Sequence, residues 1–108
     1  MKLVRDNIPN IIKESGKTCE YHVADYDEYK ARLYEKMHEE LAEFISTPCY
    51  EEAADIYEVF SMICQLHDLN MFGVECVAVD KRHTKGGFAG RVILEKVGGN
   101  RGSCESER

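Results

Sequence analysis

Two stretches of helical apolar spacing, separated by Ser46-Thr47-Pro48, fix most of what this chain can become. Proline lacks the backbone donor a helix interior needs, and its ring crowds the preceding turn. Only two prolines occur, Pro9 and Pro48. The spacing predicts one helix over residues 27–45 and a second over 50–69. The short connection makes them an antiparallel pair. Asp25 or Asp27 is the expected N-cap of the first, with Glu28 in its opening turn. Glu51 and Glu52 stand in the first turn of the second, where the helix dipole favours them.

The rest of the chain is punctuated by glycine. A short helix is expected over residues 9–14, opened by Pro9 and ended by Gly16. A turn over 70–73 leads to a third long helix over 74–83, which Gly86-Gly87 ends. Residues 17–23 alternate weakly, and an apolar run lies in 88–97. Together they predict a small two-stranded β element between 17–23 and 91–97. The expected fold is all-α, an antiparallel helical bundle with that β element as its one addition. The domain is placed at 1–97, and the Gly/Ser/charge-rich stretch 98–108 is expected to be a flexible tail.

Composition narrows the function classes. The 108 residues carry a formal charge of −6. An acidic chain without a basic stripe is a poor partner for duplex nucleic acid. No apolar run approaches the roughly 20 residues that span a bilayer, so no membrane partner is expected. Met1-Lys2-Leu3-Val4-Arg5-Asp6 contains no apolar leader core, so no secretory signal is expected. The five cysteines are odd in number and none forms Cys-x-x-Cys. They predict neither a disulfide framework nor a zinc knuckle, and a cytoplasmic setting.

The carboxylates carry the chemistry. At roughly 100° per residue, with Met37 at zero, Leu33, Leu41 and Phe44 form an apolar stripe within about 40°. Glu40 falls near about −60° and Glu43 near about −120°, along one edge of it. Glu39 falls near about −160°, away from the stripe. On the second helix, Glu52 and Asp55 lie inside the stripe of Val59, Met62, Ile63 and Leu66. A carboxylate there needs a cation, a basic side chain, or more water than the pattern implies. The hairpin brings Glu40, Glu43, Glu52 and Asp55 to one end of the pair. Two readings remain open from spacing alone: a site for a hard divalent cation such as Mg²⁺, or two solvated, Glu-rich helix ends.

The run Lys36-Met37-His38-Glu39-Glu40-Leu41-Ala42-Glu43-Phe44, followed by Glu51-Glu52-Ala53-Ala54-Asp55-Ile56, resembles the E-x-x-E … E-x-x-D signature. That signature marks the all-α nucleoside triphosphate pyrophosphohydrolases, the MazG-like superfamily, whose relatives include phosphoribosyl-ATP pyrophosphohydrolase. Lys2-Leu3-Val4-Arg5-Asp6-Asn7-Ile8-Pro9 resembles the K-L-V-R-D-x-I-P start of a small single-domain branch. Lys81-Arg82-His83-Thr84-Lys85-Gly86-Gly87-Phe88 is similar to that branch's K-x-x-x-[RK]-G-G-F. The chain departs from the pattern in lacking the Asn that many such enzymes carry after the third helix's Lys, and in having Lys85 where Arg is commoner.

The resemblance implies a Mg²⁺-dependent hydrolase that cleaves a nucleoside triphosphate to a monophosphate and pyrophosphate. It implies Glu40, Glu43, Glu52 and Asp55 as metal ligands. Glu39 and Glu40 are the catalytic candidates for the base on the attacking water. Lys36, Lys81, Lys85 and Arg5 are the candidates for binding the substrate's phosphates, with Glu58 a further residue near the cluster. The second helix is apolar nearly all round, which predicts a homodimer or homotetramer. Two rival readings accompany this one: phosphoribosyl-ATP as substrate, or a helical oligomerisation or regulatory module without catalysis.

Overall fold

A computed structural model describes residues 1–99. The described residues hold four helices and no strand: α1 (Ile8–Glu14), α2 (Tyr26–Ser46), α3 (Tyr50–Leu66) and α4 (Met71–Lys85). The all-α expectation stands. Contacts divide the chain into two compact units, Met1–Val74 and Glu75 onward. Of the expected tail, residues 100–108 lie outside the described residues.

Local chemistry sets the helix ends. Pro9 stands in the first turn of α1, where its missing N–H costs nothing. Gly16 follows at φ +91°, a left-handed conformation that a side chain resists. Asp25, not Asp27, caps α2: its carboxylate accepts from the Glu28 N–H at 2.9 Å. Asn70 does the same for α4, its Oδ1 accepting from Phe72 N–H at 2.8 Å and from Gly73 N–H at 3.2 Å. The expected turn over 70–73 is therefore a cap and the first turn of α4.

The second long helix ends earlier than its spacing predicts. The Leu69 N–H donates to Cys64 O at 2.8 Å and the Asp68 N–H to Gln65 O at 3.1 Å, with Asp68 at φ +59°. That pair of bonds is a Schellman cap, built with aspartate where glycine is usual.

The expected β element between 17–23 and 91–97 does not form among the described residues. Polar groups of 17–23 are used by the neighbouring helices instead. The Lys17 N–H donates to Ile12 O at 3.3 Å, and the His22 ring meets the Glu28 carboxylate at 2.9 Å. Arg91 sits at φ +58° with its N–H on Phe88 O at 3.2 Å, so a turn stands where the second strand would start. An isolated strand pair is marginal in water, and weak alternation supplies no apolar face to secure it.

Within the first unit, α2 and α3 pack together as an antiparallel hairpin. Tyr34 near the start of α2 meets His67 just past α3, hydroxyl to Nε2 at 2.7 Å with the rings stacked. Further along α2, Glu40 approaches Asp55 and Glu52. Leu33, Val59 and Cys64 are the buried apolar residues, and Glu40 is buried with them at 5% exposure. On α2 the buried face is turned toward Glu40, leaving Leu41 and Ile45 exposed. Glu40, expected at the edge of the apolar stripe, lies inside it.

Candidate functional site

The hairpin places three acidic side chains at one point of the first unit. One carboxylate oxygen from each of Glu40, Glu52 and Asp55 lies within 4.8 Å of the other two. Glu40 comes from the middle of α2, and Glu52 and Asp55 from the first turns of α3. The i,i+3 step on α3 keeps its two on one face.

Charge compensation at this cluster is incomplete. Lys36 reaches Glu40 Oε2 at 3.1 Å and Glu39 Oε1 at 3.3 Å. Burial pulls the Lys36 ammonium down, but its hydrogen bonds to Glu40 and Glu39 outweigh that and hold it above the ordinary lysine value. Glu40 Oε1 and Glu52 Oε2 are buried and have no hydrogen-bond partner. A buried anionic oxygen without a partner is costly. Glu52 responds by holding its proton more tightly: desolvation raises its pKa, the hydrogen bond of its protonated form to Glu43 adds to this, and the charges of Glu43, Asp55 and Glu40 add further.

Asp55 has a partner. Arg5 Nη2 donates to Asp55 Oδ1 at 2.7 Å, joining the N-terminal segment to α3. The pair is partly open to water, with the Asp55 side chain 35% exposed. The bond to Asp55 raises the Arg5 guanidinium above its ordinary value. Asp55 therefore has both a basic partner and more water than its place in the stripe implies.

The remaining candidates fall into place around this core or apart from it. Glu43 is exposed and stands beside Glu52, outside the three-oxygen group. Glu39 is exposed and held by Lys36. Lys81 and Lys85 lie one helical turn apart near the end of α4, both exposed, in the second unit.

A cleft of about 530 Å³ opens beside the cluster. Its charged lining residues are Lys2, Arg5, Asp6, Lys36, Glu40, Asp55 and Glu58. The N-terminal segment forms a wall through Leu3, Val4 and Ile8, a feature no helical period could show. A second hollow, about 350 Å³, lies at the hairpin turn between Glu43, Ser46, Thr47, Cys49 and Glu52.

An all-oxygen, anionic donor set suits a hard cation such as Mg²⁺ or Ca²⁺. Adjacent ligands of a Mg²⁺ octahedron with bonds of about 2.1 Å lie about 3 Å apart, so the three oxygens, within 4.8 Å of one another, would have to draw closer around such an ion. The two partnerless buried oxygens are what such an ion would satisfy. No family model, curated protein or solved structure matches the chain. No helix among the described residues is long and apolar enough to cross a membrane.

Proposed function

We propose that this protein is a Mg²⁺-dependent nucleoside triphosphate pyrophosphohydrolase of the MazG-like kind, working in the cytoplasm as a homodimer or homotetramer. One observation carries the reading. Glu40 is an acid 5% exposed, with a partnerless buried oxygen, in a group with Glu52 and Asp55. Lys36 pairs with only one oxygen of Glu40, and a cation at the cluster would satisfy the other. The ordered motifs around Glu40, Glu52, Arg5 and Lys85 support the same reading.

Glu40, Glu52 and Asp55 would hold the ion, with Glu43 beside Glu52 as a fourth carboxylate. A bound Mg²⁺ supplies charge neutralisation for phosphate oxygens and a water of lowered pKa. Lys36 and Arg5 are cations lining the cleft and suit non-bridging phosphate oxygens. Lys81 and Lys85 add two further cations on one face of α4. Glu39, exposed and one residue from Glu40, would be the base on the attacking water. Hydrolysis adds water across the α–β anhydride, and the bridging oxygen leaves with pyrophosphate.

A second reading rests on a different observation. Tyr57 and Phe60 of α3 are 60% and 39% exposed beside a core of three buried apolar residues. That apolar surplus suits an oligomerisation module as well as an enzyme. A panel of nucleoside triphosphates, with phosphoribosyl-ATP added and pyrophosphate assayed with and without Mg²⁺, separates the readings. Mg²⁺-dependent pyrophosphate release from a nucleoside triphosphate is the expected result. Release from phosphoribosyl-ATP alone, or from nothing, contradicts it.

A further inference from the structure

Asp55 has two claims on it. Its Oδ1 accepts from Arg5 Nη2 at 2.7 Å, and one of its oxygens belongs to the three-oxygen group with Glu40 and Glu52. That group is more than a patch of surface acids, because Glu40 is 5% exposed and its Oε1 has no hydrogen-bond partner. Arg5 stands in the stretch 1–7, which lines the cleft through Lys2, Leu3, Val4, Arg5 and Asp6. All of this stretch except Leu3 is exposed. Among the described residues, the bond to Asp55 is the one side-chain hydrogen bond or ion pair that it makes. A partly exposed pair of this kind holds weakly, so the stretch is fastened at a point that a stronger cation can take.

We infer that residues 1–7 form a strap along the cleft, closed through Arg5 and Asp55 in the metal-free protein and released when a divalent cation occupies Glu40, Glu52 and Asp55. The inference rests on the metal site of the proposed function and adds a moving part to it. A doubly charged ion drawn to Asp55 competes with the guanidinium for one carboxylate and repels it. Of the two cations at the cluster, Arg5 is the one free to leave. Lys36 is 21% exposed, is carried by α2, and meets Glu39 as well as Glu40, whereas the Arg5 side chain is 56% exposed and reaches Asp55 alone. Release of the strap opens one wall of the cleft and leaves Arg5 ready for an anion that arrives after the metal. Linkage makes the effect reciprocal: a closed strap that the ion must displace lowers the affinity for the ion by the same factor.

The full chain is titrated calorimetrically with Mg²⁺ alone, at fixed ionic strength and without nucleotide, as wild type, Arg5→Ala and Leu3→Ala. Arg5→Ala is expected to bind Mg²⁺ roughly threefold or more tighter than wild type, the scale of one partly exposed ion pair. Leu3→Ala loosens the strap without removing a charge and should show a smaller rise in the same direction, which separates release of a segment from loss of a nearby positive charge. Circular dichroism checks that both variants keep the helices. In wild type, the nitrogen–proton heteronuclear Overhauser effects of the amides of residues 2–6 should fall on saturation with Mg²⁺, as the strap gains fast motion. Arg5→Ala that binds Mg²⁺ no tighter than wild type overturns the inference, and weaker binding would make Arg5 a support for Asp55 instead of a rival to the ion. Leu3→Ala equal to wild type, or amides of residues 2–6 that stay as ordered at saturation, overturns it too, while the metal site stands. Wild type that binds no Mg²⁺ removes the metal site and the inference together.

Discussion

Asp55 accepts a 2.7 Å hydrogen bond from Arg5 and keeps 35% of its side chain in contact with water. Asp55→Asn therefore removes a partly exposed ion pair as well as a proposed metal ligand. Such pairs contribute about 0–1 kcal/mol, so the fold without metal should be little changed. Activity is expected to fall by roughly a hundredfold or more, because one ligand of the charge-neutralising ion is lost. Circular dichroism with kinetics on the best nucleotide checks both halves, and activity within threefold of wild type contradicts the metal assignment. Glu52 adds a pH dependence. Burial, then its neighbour Glu43, raises its pKa in the folded state. Its contribution to stability is complete below the unfolded carboxylate value and is lost as pH rises through the higher folded value. Mg²⁺ at the proposed site would select the ionised form and offset that loss. The Mg²⁺-induced rise in Tm should be larger near pH 7.5 than near about pH 5, read by thermal melts at both. An equal rise at the two pH values would speak against Glu52 as a ligand.

The helix boundaries show which signals a sequence carries openly. Pro9, Gly16, Pro48 and Gly86 each mark a boundary in a way that backbone sterics dictate, and the helices start or stop beside them. The end of α3 was less legible, because Asp68 adopts the left-handed conformation that glycine usually signals. The start of α4 was displaced for a related reason: Asn70 reads as a turn residue, and its side chain is a helix cap. Asn70→Ala should cost about 1 kcal/mol, seen as a lower urea midpoint with an unchanged m-value. No shift in midpoint would mean that the cap does not hold α4. For the site, the i,i+3 step on α3 and the short hairpin were enough to bring Glu40, Glu52 and Asp55 together. The burial of Glu40 was not legible, since rotating α2 by a fraction of a turn exchanges Glu40 for Leu41. The Arg5–Asp55 pair spans 50 residues, and no local period encodes it.

Among the described residues, three apolar side chains are buried, while Tyr57 and Phe60 on α3 keep much of their surface exposed. Covering such surface gives about 25 cal/mol per Å², which is the basis for the proposed oligomer. Light scattering at micromolar concentration should give a mass that is a multiple of 12.4 kDa, and a mass equal to it would contradict the oligomer. The functional reading depends on a cation at a site built around a buried acid. Calorimetric titration of Mg²⁺ into the full chain without nucleotide, wild type beside Glu40→Gln, addresses this directly. Glu40→Gln keeps the shape and the contact with Lys36 but removes the negative charge. Saturable Mg²⁺ binding by wild type, lost or strongly weakened in Glu40→Gln, is the expected result. Wild type that binds no Mg²⁺, or Glu40→Gln that binds it equally well, would contradict a metal centre at Glu40, Glu52 and Asp55.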